Sequence, residues 1–351
     1  MTEDVEAAIR ERIDREGPIT FATFMELALY GPGGYYGLPP IGADGDFVTS
    51  PHVHPAFGMF VARALEPLRS ALHRDDLRLL EIGAGDGALA RQVLDAMPDI
   101  SYTAVEASPG ARASLARIGG LRVAAEPRSP ADVVLAHELL DNLPFRVVRA
   151  GQELVIDVDH GSFVERTTPL DEDLRALVGA RTDGDVVVPT GALSMIDRIA
   201  EVLERGYALL IDYGDEGLAG PVHGYRAQRP IEDVLAEPGT TDITAAVDFA
   251  WIARRARDRG LHAFPLRRQT EVLFALGFEE WLRDGLVTQR EQLDAGRGLE
   301  AVRTWSARSR ATMLVDPSGL GRMRWLLLAT GGLAPPPWLN ADQGATDPPT
   351  D

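Results

Sequence analysis

Glu81-Ile82-Gly83-Ala84-Gly85-Asp86-Gly87 joins an apolar run, Leu77–Ile82, to a helical pattern that begins at Ala88. A strand that runs into glycines and then a helix lets backbone N–H groups approach a ligand closely at the helix N-terminus. Gly83, Gly85 and Ala88 fit the relaxed dinucleotide pattern G-x-G-x-x-G/A, and Glu106 stands about 20 residues on, where a ribose-binding acid belongs. The pattern alone leaves NAD open. Charge helps to separate the candidates. Asp86 lies in the turn and Glu81 flanks it, a poor setting for the doubly negative pyrophosphate of a dinucleotide. S-adenosyl-L-methionine (SAM) has no phosphate; it carries a sulfonium cation and an amino group, which suit an acidic turn. Glu106 ends the second strand-like run, and a carboxylate there can accept both ribose hydroxyls. The plainer reading is a solvated acid at a strand end.

A second segment, His137-Glu138-Leu139-Leu140-Asp141-Asn142-Leu143-Pro144, follows the run ADVVLAHE. In open α/β sheets the crevice at the carboxyl ends of the strands holds the reacting ligand. If a helical turn follows the strand, Glu138 and Asp141 are three apart and share a face. Paired carboxylates there can clamp a guanidinium through its fork of N–H donors; otherwise they only cap the turn. His137 is a candidate base, or a hydrogen-bonded structural residue. Asp212 ends the fifth run, LLIDYG, and either lines the acceptor pocket or satisfies the backbone of a neighbouring loop. His52 and His54 lie two apart and could seed a metal site, but no third or fourth ligand is identifiable, so no metal is expected.

Composition narrows the chemistry. The chain has 351 residues, with 35 basic and 53 acidic side chains, a net charge of −18. Such a surface repels nucleic acid and anionic lipid, so neither is an expected partner. There is no cysteine, which excludes disulfides, thiolate nucleophiles and Cys-ligated zinc. There is no lysine either, which removes Schiff-base chemistry and the lysine of a phosphate-binding P-loop. Met1 to Asp14 is amphipathic and acidic, unlike a signal or transit peptide, and no apolar run approaches the ~20 residues needed to span a bilayer. The expectation is a cytoplasmic protein.

The elements that position these residues follow from periodicity. Val5–Ile13, Phe21–Tyr30 and His54–Ala71 have helical spacing. Between the last two lies a Gly/Pro-rich loop, Gly31–Pro51, of the length that usually binds or covers a ligand. From Leu77 strands and helices alternate, which predicts an α/β, doubly wound parallel sheet. Its strands are expected at Leu77–Gly83, Ser101–Ser108, LRVAAE, ADVVLAHE, Gly206–Asp212, Leu261–Arg268 and Met323–Gly331. Three units are expected: an N-terminal helical cover over 1–75, a Rossmann-like seven-stranded domain over 76–332, and a disordered tail over 333–351. The domain carries insertions at about 145–188, read as short strands, and 271–314, read as helices.

Ile19–Tyr36, Gly45–Phe57, Leu80–Gly87, Glu138–Pro144, Leu210–Gly214, Gly224–Arg226 and Asp242–Phe249, in this order, resemble the MidA-type SAM-dependent methyltransferases. That family includes a mitochondrial complex I assembly factor that methylates arginine. The resemblance implies a seven-stranded methyltransferase fold with a helical cover, SAM as methyl donor and protein arginine as acceptor. It places Gly83 and Gly85 on the cofactor, in a set completed by Glu81, Gly87 and Glu106. Asp46, Phe47 and Thr49 would close over the cleft, and Glu138 and Asp141 would be catalytic. This chain departs from the family pattern at His137, His52, Ala246 and Gln228, on loops that would touch the acceptor. The rival readings are an NAD(P)-dependent oxidoreductase and a non-catalytic assembly protein that keeps the fold as a scaffold.

Overall fold

Val133–His137 and Tyr207–Asp212 are buried at every position, as strands covered on both faces must be. They form the centre of the main sheet in the computed structural model, which describes residues 2–37, 49–179, 184–217, 220–226 and 229–340. The strands in chain order are β1 (Arg78–Ile82), β2 (Ser101–Val105), β3 (Leu121–Ala124), β4 (Val133–His137), β5 (Tyr207–Asp212), β6 and β7 (Arg324–Ala329). β6 is split into His262–Ala263 and Arg267–Arg268, each paired with β7. Pro265, between the two pieces, has no N–H to donate, so the single run expected from the sequence cannot continue.

The spatial order is β3-β2-β1-β4-β5-β7-β6, with β7 antiparallel to both neighbours. The sheet is therefore mixed, where the sequence pattern predicted a parallel one. The cause lies in the connection. The chain leaves β6 at Arg268 and passes into helices at Gln269–Ala275, Phe278–Asp294 and Gly298–Ala311 before returning as β7. No crossover carries it back to the start of a parallel strand, so it re-enters the sheet in the opposite direction.

Alternation along the strands divides the core. Leu79, Leu135, Leu209 and Leu327 face α4 (Ala56–Leu72) and α5 (Ala88–Ala96) on one side; these two are the fourth and fifth helices in the chain. Leu80, Val134, Leu210 and Leu328 face the helices Thr190–Val202 and Phe249–Asp258 on the other.

A third core has a different origin. Gln152–Asp159 pairs antiparallel with Ser162–Pro169, with Arg146–Arg149 and with the short strand Ile19–Thr20, while Asp185–Val188 completes that sheet on the far side of Arg146–Arg149. Val5, Ile9 and Ile13 of the first helix, α1 (Thr2–Glu16), and Phe21, Phe24 and Met25 of the second, α2 (Phe21–Tyr30), pack on this insertion. Phe21 stacks on Phe145 with ring centroids 5.5 Å apart. The N-terminal helices thus divide between two cores: α1 and α2 join the inserted sheet, and α4 joins the main one. A three-stranded sheet of Arg229–Ile231, Val222–Arg226 and Asp242–Ala245 carries no strand signal in the sequence. Ile243 and Ala245 anchor it to the third core. Among the described residues no helix is long and apolar enough to cross a membrane.

Candidate active site

The carboxyl ends of β1, β2 and β4, roofed by the three-stranded sheet and the end of α2, enclose a cavity of about 900 Å³. The glycine turn forms one wall. Gly83 and Gly87 have φ of 77° and 79°, which a side chain rarely adopts. A Cβ on Gly87 would also meet Ile118 Cδ1 at 2.5 Å and Leu115 Cδ2 at 2.7 Å. Gly83 lets the turn pack on the acidic segment, since a Cβ there would meet Leu139 Cδ1 at 2.9 Å. Glu106 accepts the Gly85 N–H at Oε2 and the Ser108 N–H at Oε1, both at 2.9 Å. Each oxygen keeps a further lone pair, so the carboxylate is fixed in place and still able to accept. Glu81 is buried and accepts the Tyr102 hydroxyl at 2.9 Å. Burial, helped by the nearby Glu106 and Asp86, pushes its carboxyl up to about 7. His52 Nε2 lies 3.0 Å from Asp86 Oδ2, and His52 Nδ1 lies 2.7 Å from Thr49 Oγ1. That chain ties the end of the Gly/Pro-rich loop to the glycine turn. It also lowers the Asp86 carboxyl, against the opposing effect of burial.

The opposite wall is acidic and aromatic. Glu138 follows β4 in a left-handed conformation, φ 50°. It therefore stands outside the helical turn expected there, which covers only Leu140–Asn142. Glu138 and Asp141 nevertheless line the same cavity. Burial, with Asp141 nearby, pushes the Glu138 carboxyl up to about 8, while burial raises Asp141 to about 6. Asp141 Oδ2 accepts the Thr244 hydroxyl at 3.0 Å, whereas Oδ1 is buried without a partner. Asp212 takes the second of the two roles open to it. Its Oδ2 accepts the N–H groups of Leu139 and Leu140 and its Oδ1 that of Tyr213, so it shapes the acidic loop from behind. Tyr30 and Tyr36 stack with ring centroids 5.3 Å apart. The Tyr30 hydroxyl donates to the Asn142 carbonyl at 3.0 Å, and Tyr36 to Asp242 Oδ1 at 2.9 Å.

Of the site residues expected from the sequence, Glu81, Gly83, Gly85, Glu106, Thr49, Glu138 and Asp141 line this one cavity. Gly87 caps α5 and packs on Leu115 and Ile118 instead. Asp46, Phe47 and Gln228, and residues 341–351 of the tail, lie outside the described residues. Residues 333–340, expected to be disordered, are ordered: Trp338 and Leu339 are buried, and Trp338 Nε1 donates to the Ala64 carbonyl at 3.1 Å. His54 turns away, its Nδ1 accepting the Ala56 N–H and its ring meeting Trp281 edge-on. The sequence reading missed Tyr30, Tyr36, Asn142, Asp242 and Thr244 as wall residues. No spacing marks them; the one signal was that all five fall within segments resembling the family.

The donor set fits SAM. The cavity meets the glycine turn at two carboxylates, Glu106 and Asp86, the latter paired with His52, and this favours a cationic nucleoside over a diphosphate. A family model for S-adenosyl-L-methionine-dependent methyltransferases matches residues 60–266. The chain belongs to that family, and its fold is the Rossmann-like methyltransferase fold. It is 28% identical to the protein arginine methyltransferase NDUFAF7 homolog, mitochondrial, of Drosophila melanogaster, over 93% of this chain and 85% of that one. It is 30% identical to the mitochondrial protein arginine methyltransferase NDUFAF7 of Xenopus tropicalis, over 69% and 68%. Among solved structures, a COG1565 superfamily member from Burkholderia thailandensis, bound to S-adenosyl-homocysteine, matches with a TM-score of 0.79 and 26% identity, covering 97% of this chain and 95% of that one. These likenesses bear out the resemblance to MidA-type enzymes and favour a methyltransferase over an NAD(P)-dependent oxidoreductase or an inert scaffold. The cytoplasmic placement expected from the sequence is overturned: the NDUFAF7 relatives are mitochondrial proteins.

Proposed function

We propose that this methyltransferase acts on arginine in a protein substrate, with Glu138 and Asp141 holding the guanidinium. The observation that carries this reading is the pair of carboxyls, Glu138 and Asp141, lining one cavity, with Asp141 Oδ1 buried and without a hydrogen-bond partner. A guanidinium has five N–H donors and no acceptor, and it matches carboxylates in a fixed plane. The names of the NDUFAF7 relatives support the same acceptor. Gly83, Gly85, Glu81 and Glu106 would hold SAM, which supplies a methyl group made electrophilic by its sulfonium.

The residues of the chain do the rest by position and charge. Arginine stays protonated at neutral pH, with a pKa above ~12. Its charge must be localised so that one nitrogen has a free electron pair along the line of attack. Glu138 and Asp141 do this when ionised. Before a cation binds, Glu138 holds a proton at neutral pH because burial and the nearby Asp141 oppose its charge; an arriving cation displaces that proton. After transfer the substituted nitrogen sheds a proton, and a Glu138 carboxylate is basic enough to take it. Stacked Tyr30 and Tyr36 give the aliphatic stem an apolar wall and keep water from it.

The deciding experiment supplies labelled SAM and the pure enzyme to a lysate of a deletion strain, followed by complete hydrolysis and mass spectrometry. The expected label is on methylarginine from protein. Label confined to other residues or to small molecules would remove arginine as the acceptor.

A further inference from the structure

Among the described residues, the buried polar side-chain atoms without a hydrogen-bond partner are His137 Nε2, Asp141 Oδ1 and the Nε atoms of Arg226 and Arg308. The first two belong to residues lining one cavity. The guanidinium reading uses Asp141 Oδ1 and leaves His137 Nε2 unexplained. The His137 side chain is 6% exposed, and its ring lies against Phe57 with centroids 5.0 Å apart, so packing fixes its plane. Nε2 is 3.2 Å from Glu138 Oε1 but off the line that a hydrogen bond needs. A buried polar atom left unpaired is costly, and it persists more readily where a ligand completes it. Burial holds the imidazole neutral, pushing its pKa down to about 3. With the proton on Nδ1, Nε2 keeps a free lone pair, on a side chain that belongs to the cleft wall.

We propose that His137 Nε2 accepts one N–H of the acceptor guanidinium, beside Glu138 and Asp141, and so makes the cleft select a guanidinium over an ammonium. This deepens the arginine reading and rests on it. The selectivity follows from donor geometry. A guanidinium spreads its N–H groups in a plane, and two carboxylates leave some of them to be met by a third acceptor of fixed direction. A lysine ammonium is a compact charge with three rotatable donors, which the carboxylates satisfy without Nε2.

The test uses the full-length enzyme with ¹⁵N-labelled histidine, saturated with S-adenosylhomocysteine and titrated with Nα-acetyl-arginine methylamide or its lysine counterpart. The His137 Nε2 resonance is assigned by its absence from His137→Phe. It should move toward the hydrogen-bonded range with the arginine compound and stay in place with the lysine compound. His137→Phe should weaken the arginine compound about tenfold, the scale of one hydrogen bond, with S-adenosylhomocysteine affinity unchanged. His137→Asn, whose amide oxygen can accept the same N–H, should restore binding to within about threefold of the parent. An unmoved resonance while the arginine compound binds, or equal affinity in His137→Phe, overturns the role of His137 and spares the arginine reading. If His137→Phe fails to fold, the resonance is assigned by its absence from His137→Asn, and that resonance and the affinity of His137→Asn decide. If the parent enzyme binds S-adenosylhomocysteine but no arginine compound, the acceptor reading itself fails, and this inference with it.

Discussion

Glu138 sits in left-handed backbone at the mouth of β4, a conformation that costs a non-glycine residue on the order of 1–3 kcal/mol. The surroundings hold it there. Its N–H donates to the Ile211 carbonyl at 2.9 Å, and Asp212 grips the next two N–H groups. The kink turns the carboxyl into the cleft, where regular strand or helix would have aimed it elsewhere. Glu138→Gln keeps the shape and a hydrogen-bonding end while removing the charge. It should leave SAM affinity, read by calorimetry, nearly unchanged and lower turnover by about 100-fold or more, the scale of a positioned acid–base group. Turnover equal to the parent's would mean that the carboxylate does not act on the acceptor. The acidic segment was legible in the sequence because His137 to Pro144 follows an apolar run directly. The division of labour within it was not, since Asp141 and Asp212 look alike until burial and partners separate them.

At the scale of elements, the glycine turn and α5 form one device. Gly87 ends the turn at φ 79° and opens the helix, with Leu115 and Ile118 closed over the place a side chain would occupy. Gly87→Ala meets both the backbone penalty and the contact. A loss of about 1–3 kcal/mol in urea denaturation is expected, together with weaker binding of S-adenosylhomocysteine as the turn shifts. Unchanged stability would show that the turn relaxes freely and that its glycine is not required. The turn was readable because strand, glycines and helix are contiguous. The strand Ile19–Thr20 was not, because its partner, Val155–Ile156, is far along the chain and two residues carry no period.

For the whole molecule, four buried acids share one end of the sheet. Glu81, Glu138 and Asp141 are raised to about 7, 8 and 6, and Asp212 is raised well above its ordinary value. In the unfolded chain all four titrate near 4. The folded state therefore binds more protons between these limits, so the stability they lend is full below about pH 4 and is lost as pH rises through 6 to 8. Acids with lowered values, such as Asp197 at about 2 and Asp132, respond only below this window. The ligand-free protein should thus melt roughly 5 °C higher at pH 5.5 than at pH 8.5. A melting point that is flat or rising over that range would show that the four acids are not held protonated. This crowd of like charge is the cost the fold carries for a cleft that awaits a cation.

The order of strands and helices along the main domain, the glycine turn and the acidic segment were set by the sequence alone, because each rests on residues within a few positions of one another. Tertiary structure decided what those patterns could not reach. It placed β7 between β5 and β6, sent α1 and α2 to the inserted sheet, and carried Tyr36 to Asp242, 206 residues away. It also assigned Asp212 to the backbone and left His137 Nε2 and Asp141 Oδ1 unpaired in the cleft. Those outcomes follow from which apolar faces bury together, and a face has no partner until the chain has closed on itself.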